Sequence, residues 1–157
     1  MSCEITIEGH LPRSFGITKA ALKLAAKYFA SCSSKRIKIP FHSVTIILQD
    51  DNESDEVHRG IMGVEGATDV ITQAYEAMPP ELEGIYGELY VNTDQALRFA
   101  KVVKNWSSLK ELLLYIAHGM DHLSGADDLE SSDRDRMRRR ELKWLKDYFS
   151  LEKGVKK

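Results

Sequence analysis

Apolar and polar positions alternate with two different periods along the chain, and the periods divide it into elements. Across residues 17–30, ITKAALKLAAKYFA, helical spacing joins Ile17, Ala21, Leu24, Ala25 and Tyr28, which predicts an early core helix with those side chains inward. SVTIILQ from Ser43 and TDVITQAY from Thr68 are short and rich in β-branched residues, so each predicts a strand. DNESDEVHRGIMGVEGA, between them, predicts a short acidic helix and then a loop across Gly60, Gly63 and Gly66. In IYGELYV, Ile85, Gly87, Leu89 and Val91 alternate with Tyr86, Glu88 and Tyr90, the signature of a half-buried strand. Thr93 is placed to cap a helix over DQALRFAKVVK. Ser108 and Glu111 form an S-x-x-E capping box that opens SLKELLLYIAHGMDH. Gly125 ends that helix, and a last one from about Ser132 is expected to carry Met137, Leu142, Leu145 and Phe149 inward.

Composition narrows the class without naming a function. A chain of 157 residues suits one domain over 1–157, and 29% charged with 43% apolar residues is ordinary for a globular protein. MSCEITIEGHLPRSF lacks the basic start and apolar run of a signal peptide, and no stretch approaches the roughly 18 apolar residues of a membrane span, so a cytoplasmic location is expected. Cys3 and Cys32 form no C-x-x-C pair and read as reduced thiols. The net charge of -2 argues against a generally basic nucleic-acid binder but leaves room for charge gathered on one face. RDRMRRRELKWLK, Arg134 to Lys146, is the most basic segment; it reads as a solvated helix face whose charge Asp133, Asp135 and Glu141 partly offset. Trp106 and Trp144 read as core or rim.

Residues 118–128, HGMDHLSGADD, carry the candidate chemistry. Histidines four apart on a helix project from one face, so His118 and His122 can reach a single ion. Catalytic zinc usually takes three protein ligands and an open position, and the break at Gly125 is followed at once by carboxylates. Asp128 is the first choice for the third ligand and Asp127 the second. The plainer alternative is two histidines facing a polar groove, with the aspartates capping the next helix. Gly119 stands where an H-E-x-x-H peptidase carries its glutamate base.

This stretch resembles the H-G-x-x-H-L-x-G-x-D-H signature of the YbeY endoribonucleases, bacterial rRNA maturation factors whose three motif histidines hold zinc. His118, Gly119, His122, Leu123, Gly125 and Asp127 match in place, and Asp128 falls on the third histidine. HRG at 58–60 and TDV at 68–70 resemble the family's Y-R-G and T-D-V-L-S-F segments, with a longer loop between and Ile71, Thr72, Gln73 in place of L-S-F. GEL at 87–89 resembles its G-D-I strand, and the likeness runs over roughly residues 43–149.

The resemblance implies a single α+β domain, a small mixed β-sheet packed with helices, the metal-binding helix falling near the C-terminal third. It implies a zinc-dependent endoribonuclease specific for single strands, acting in rRNA maturation at the small-subunit 3′ end and in ribosome quality control. The partners implied are single-stranded RNA, rRNA or the ribosomal small subunit, with no DNA and no membrane. His118, His122 and Asp128 would hold one Zn2+, with nickel or iron also suited to mixed nitrogen and oxygen ligands. His118 and Arg59 would serve catalysis, Arg59 by gripping a phosphate through two parallel hydrogen bonds. Without a glutamate at 119, a metal-bound hydroxide or a metal-polarised phosphoryl oxygen can still serve phosphodiester cleavage. An aspartate in place of an imidazole leaves such a centre near a formal charge of about +1 instead of +2. Two other functions fit the same residues: a non-catalytic RNA-binding ribosome-assembly factor, and a metallopeptidase, which the missing glutamate disfavours.

Overall fold

The β-branched run near residue 45 forms the spine of a four-stranded sheet in the computed structural model, which describes residues 3–63 and 68–155. This strand, β2 (Phe41–Gln49), lies parallel to β1 (Glu4–Glu8) on one side and to β4 (Ile85–Asn92) on the other; β3 (Val70–Tyr75) runs antiparallel to β4 and forms the second edge. Parallel neighbours need long crossovers. Helix α1 (Lys19–Ile37) bridges β1 to β2, while α2 (Asp51–Met62) and β3 separate β2 from β4. Helices α3 (Thr93–Val102), α4 (Ser108–Leu123) and α5 (Ser131–Val155) complete a single α+β domain with a mixed sheet. Among the described residues no helix is long and apolar enough to cross a membrane.

The period-2 expectation holds across the sheet. Ile5, Val44, Ile46, Leu48, Leu89 and Val91 are buried on one face, with Ile46 opposite Leu89 and Leu48 opposite Val91 in register. Helices α1 and α4 contribute to the same core. Helix α4 touches α1, α3, α5, β3 and β4, so it is buried on nearly every side. Two glycines set how closely it meets β4. A Cβ at Gly119 would stand 2.8 Å from Leu89 Cδ2, and one at Gly87 would stand 2.7 Å from Leu123 Cδ2. Position 119 therefore faces the sheet, and a glutamate there would be driven into Leu89.

Several local expectations are corrected. Strand β1 was not foreseen in EITIE. Helix α1 is longer and turned: Leu22, Ala25, Ala26, Phe29 and Ala30 are buried, whereas Leu24 is 63% exposed. The competing stripe wins because Leu22 and Phe29 together present more apolar area than Leu24 with an amphipathic tyrosine. Helix α2 runs through Gly60 and ends with Gly63 at a left-handed φ of 68°; Gly66 lies outside the described residues. Asn92, not Thr93, caps α3 by accepting from Gln95 N at 3.1 Å, because the Thr93 hydroxyl instead donates to the Gln49 carbonyl. Ser107, not Ser108, caps α4 through Lys110 N, and the Glu111 carboxylate accepts from the Trp106 indole at 2.8 Å. On α5, Met137 and Leu145 face inward as expected, but Leu142 is 37% exposed and Glu141 takes a core-facing position.

Candidate metal centre

Helix α4 holds His118 and His122 one turn apart, with their Nε2 atoms 3.0 Å from each other. The Nδ1 sides are both anchored. His122 Nδ1 donates to the Ala126 carbonyl at 3.0 Å, a group that can only accept, and His118 Nδ1 meets both carboxylate oxygens of Glu141 at 3.0 Å. Placing the protons on Nδ1 leaves two Nε2 lone pairs facing each other, which is repulsive without a cation between them. The turn after α4, with Gly125 at φ 95° and its amide bonded to the His122 carbonyl, reverses the chain and brings the next carboxylate back. Asp128 Oδ2 lies 3.5 Å from His122 Nε2 and 3.9 Å from His118 Nε2. Ligand atoms around a tetrahedral zinc ion at bonds near 2.1 Å lie about 3.4 Å apart, so these separations fit one ion. The donor set of two imidazoles and a carboxylate suits zinc and other borderline divalent ions. Asp127 is turned elsewhere, its Oδ1 accepting from the Leu129 amide at 3.1 Å.

Glu141 is the residue that the sequence reading missed. Taken there as surface charge, it is 1% exposed and fixes the ring of His118, the usual task of an acceptor behind a metal-binding histidine. Burial pushes its carboxyl up, the His118 contact opposes the rise, and the nearby Asp121 carboxylate reinforces it. Burial alone would pull the His118 imidazole down, but Glu141, with Asp69 and Asp128 behind it, outweighs that and leaves it raised. Asp121, fully buried, is held by Arg140 through Nε and Nη2 at 2.9–3.2 Å and by Arg36 Nη2 at 3.5 Å. Arg36 also donates to the Ser124 hydroxyl at 2.6 Å, tying α1 to the end of α4. A signal for Glu141 did exist in the sequence, since it falls four residues after Met137 and four before Leu145, on the inward stripe of α5.

Two adjoining cavities meet at His118 and Asp128. One, about 320 Å³, is walled by His58 and by Thr68 to Thr72 beside His118, His122 and Asp128. The second, about 400 Å³, shares Asp69, His118 and Asp128 and extends along the start of α5. Among the described residues, then, the structure brings His118, His122 and Asp128 together and sets the TDV segment against them. Arg59 lies on the last turn of α2, outside the lining of both cavities, with Nε bonded to Asp55 at 3.1–3.2 Å. Its neighbour His58 reaches the cavity wall instead.

Comparison with known proteins bears on family and fold. A family model described as Endoribonuclease YbeY matches residues 13–149. A Rhodopirellula baltica protein named Endoribonuclease YbeY is 36% identical over 105 residues, 66% of this chain and 53% of the relative, so the match spans about half the relative's length. A relative of the same name from Elusimicrobium minutum is 29% identical over 80% of this chain and 82% of its own. The solution structure of a Thermotoga maritima protein superposes with a TM-score of 0.60 at 24% identity, covering 96% of this chain and 93% of that one, a likeness of fold.

Proposed function

The chain belongs to the YbeY endoribonuclease family, and on that footing we propose that it is a metal-dependent endoribonuclease cutting single-stranded RNA, with ribosomal RNA of the small subunit as substrate. It acts as one domain over residues 1–157 and takes Zn2+ as its ion. The observation that carries this reading is the convergence of two anchored imidazole Nε2 atoms and the Asp128 carboxylate at the meeting of two open cavities. A divalent ion held there would supply Lewis acidity for phosphodiester hydrolysis.

The chain's own residues do the rest. Glu141 and the Ala126 carbonyl hold the imidazoles in one tautomer and orientation, so His118 and His122 need no rearrangement to bind. Arg59 grips a phosphate once its guanidinium lets go of Asp55, an exposed i,i+4 pair that water readily exchanges. The cavities are of small-ligand size, which suits one or two nucleotides of an unpaired strand. A peptidase is less well supported, because position 119 points at Leu89 and away from the cavity.

The deciding measurement uses protein purified without added metal. We expect elemental analysis to find one equivalent of a divalent ion, and single-stranded RNA to be cut in its presence and spared with chelator, while duplex RNA, DNA and peptides persist. A fully loaded protein that binds RNA without cutting it would replace this reading by the assembly-factor role.

A further inference from the structure

We propose that Arg134 and Arg138 hold RNA phosphates in the second cavity, making the first turns of α5 the far wall of the substrate groove; this rests on the RNA-cleaving function proposed above. The two residues stand four apart on one helix face, and both line the cavity that continues from His118 and Asp128. Arg134 Nη1 donates to the Asp128 carbonyl at 3.2 Å, so its guanidinium sits beside the backbone of the third ligand. Among the described residues neither arginine forms an ion pair. Other arginines on the protein are engaged: Arg136 with Asp133 at 2.7 Å, Arg140 with Asp121, Arg59 with Asp55. A guanidinium carries five donors, and those of Arg138 and most of those of Arg134 remain open to a planar oxyanion.

The two guanidiniums are what admits a polyanion to an otherwise acidic cavity. Of the acids lining this cavity, Glu141 is committed to His118 and Asp128 to the two histidines, while Asp69 accepts from the Val70 amide at 2.8 Å. Each keeps its charge, so Asp69, Asp128, Asp135 and Glu141 are balanced by the two guanidiniums together with a bound divalent ion. The departure at 128 gives this wall its purpose. An aspartate ligand lowers the charge of the centre by one unit, and cationic side chains in the same cavity restore the attraction for phosphate.

The test is equilibrium binding of a single-stranded RNA oligonucleotide to the metal-loaded protein as salt is raised, because each lost phosphate contact lowers the slope of log affinity against log salt by about 0.7. The double variant Arg134→Ala, Arg138→Ala should bind at least about ten-fold more weakly at low salt, with the slope reduced by about 1.4, while metal content and thermal midpoint hold. Lysine at both positions should keep the slope, as should Arg139→Ala, which removes a charge from the same helix outside the cavity. Should the Arg134 change disturb the turn at 128, Arg138→Ala alone, which breaks no bond to that turn, should still lower the slope by about 0.7. An unchanged slope in a folded, loaded double variant, or an equal loss in Arg139→Ala, overturns the proposal and leaves the parent function standing. Wild-type protein that binds no RNA at all removes both.

Discussion

On the α4–α5 side of the cleft, His118 leans on Glu141, His122 on the Ala126 carbonyl, and Asp121 beneath them is clamped by Arg140 and Arg36. Across the cleft, on the α2–β3 side, Arg59 is mostly exposed and, among the described residues, paired with Asp55 one turn away, and β3 is an edge strand. The first side rests on two buried carboxylates, Asp121 and Glu141, with half-buried partners from three helices, whereas on the second Arg59 lies at the surface. Burial without partners is costly, so the ligand side must be satisfied in advance by its own chain. The side proposed to meet substrate can wait for its partner, and its charges stay exchangeable with water. Binding an ion demands positions fixed to fractions of an ångström; gripping a flexible strand does not.

The largest effect should come from breaking the buried side. Asp121→Ala leaves Arg140 and Arg36 without their shared carboxylate and should destabilise the protein by about 3 kcal/mol, read as a fall in the chemical denaturation midpoint. A loss no larger than that of a surface substitution would show the clamp to be ornamental. Next, Glu141→Ala frees the His118 ring and should weaken metal binding by about 10- to 100-fold by competition with a chromogenic chelator, whereas Glu141→Gln, which can still accept from Nδ1, should lose less. Equal affinities in all three proteins would sever Glu141 from the centre. The smallest stability effect belongs to the other side: Arg59→Ala removes one exposed pair and should change stability by under about 0.5 kcal/mol while slowing RNA cleavage. Unfolding in that variant would make Arg59 a structural residue and erase the contrast between the two sides.

The sequence showed one side of this contrast better than the other. Strands β2 and β4 announce themselves because their inward positions alternate strictly, and α4 because a serine cap, a continuous apolar run and a glycine bound it. The pair His118 and His122 with Asp128 was legible because helical spacing and a glycine turn are local rules, and the motif made the order of parts specific. Glu141 was legible as an inward position of α5, between Met137 and Leu145, but not as a site residue. Its neighbours Arg138, Arg139 and Arg140 give it the look of a charge on a solvated face, and only the tertiary partner His118 explains its burial. Strand β1 escaped because its pairing with β2 is parallel and remote, leaving no turn signal in between. The face of α1 was misjudged because two apolar stripes compete on it and its neighbours decide.

The bond from Glu141 to His118 has a bearing on the order in which the protein is made. Translation delivers the histidines first, at 118 and 122, then the aspartate at 128, and only afterwards the glutamate that orients the first ring. Until the helix carrying Glu141 has been synthesised and has docked, His118 has no acceptor behind Nδ1. At chain growth of about 5–20 residues per second this stage passes quickly, yet it means that the His118 ring lacks its orienting acceptor while α5 is still inside the ribosome. Under the proposed RNA-cleaving function, the site is thereby least ordered for as long as the chain is nearest to the machine that makes it.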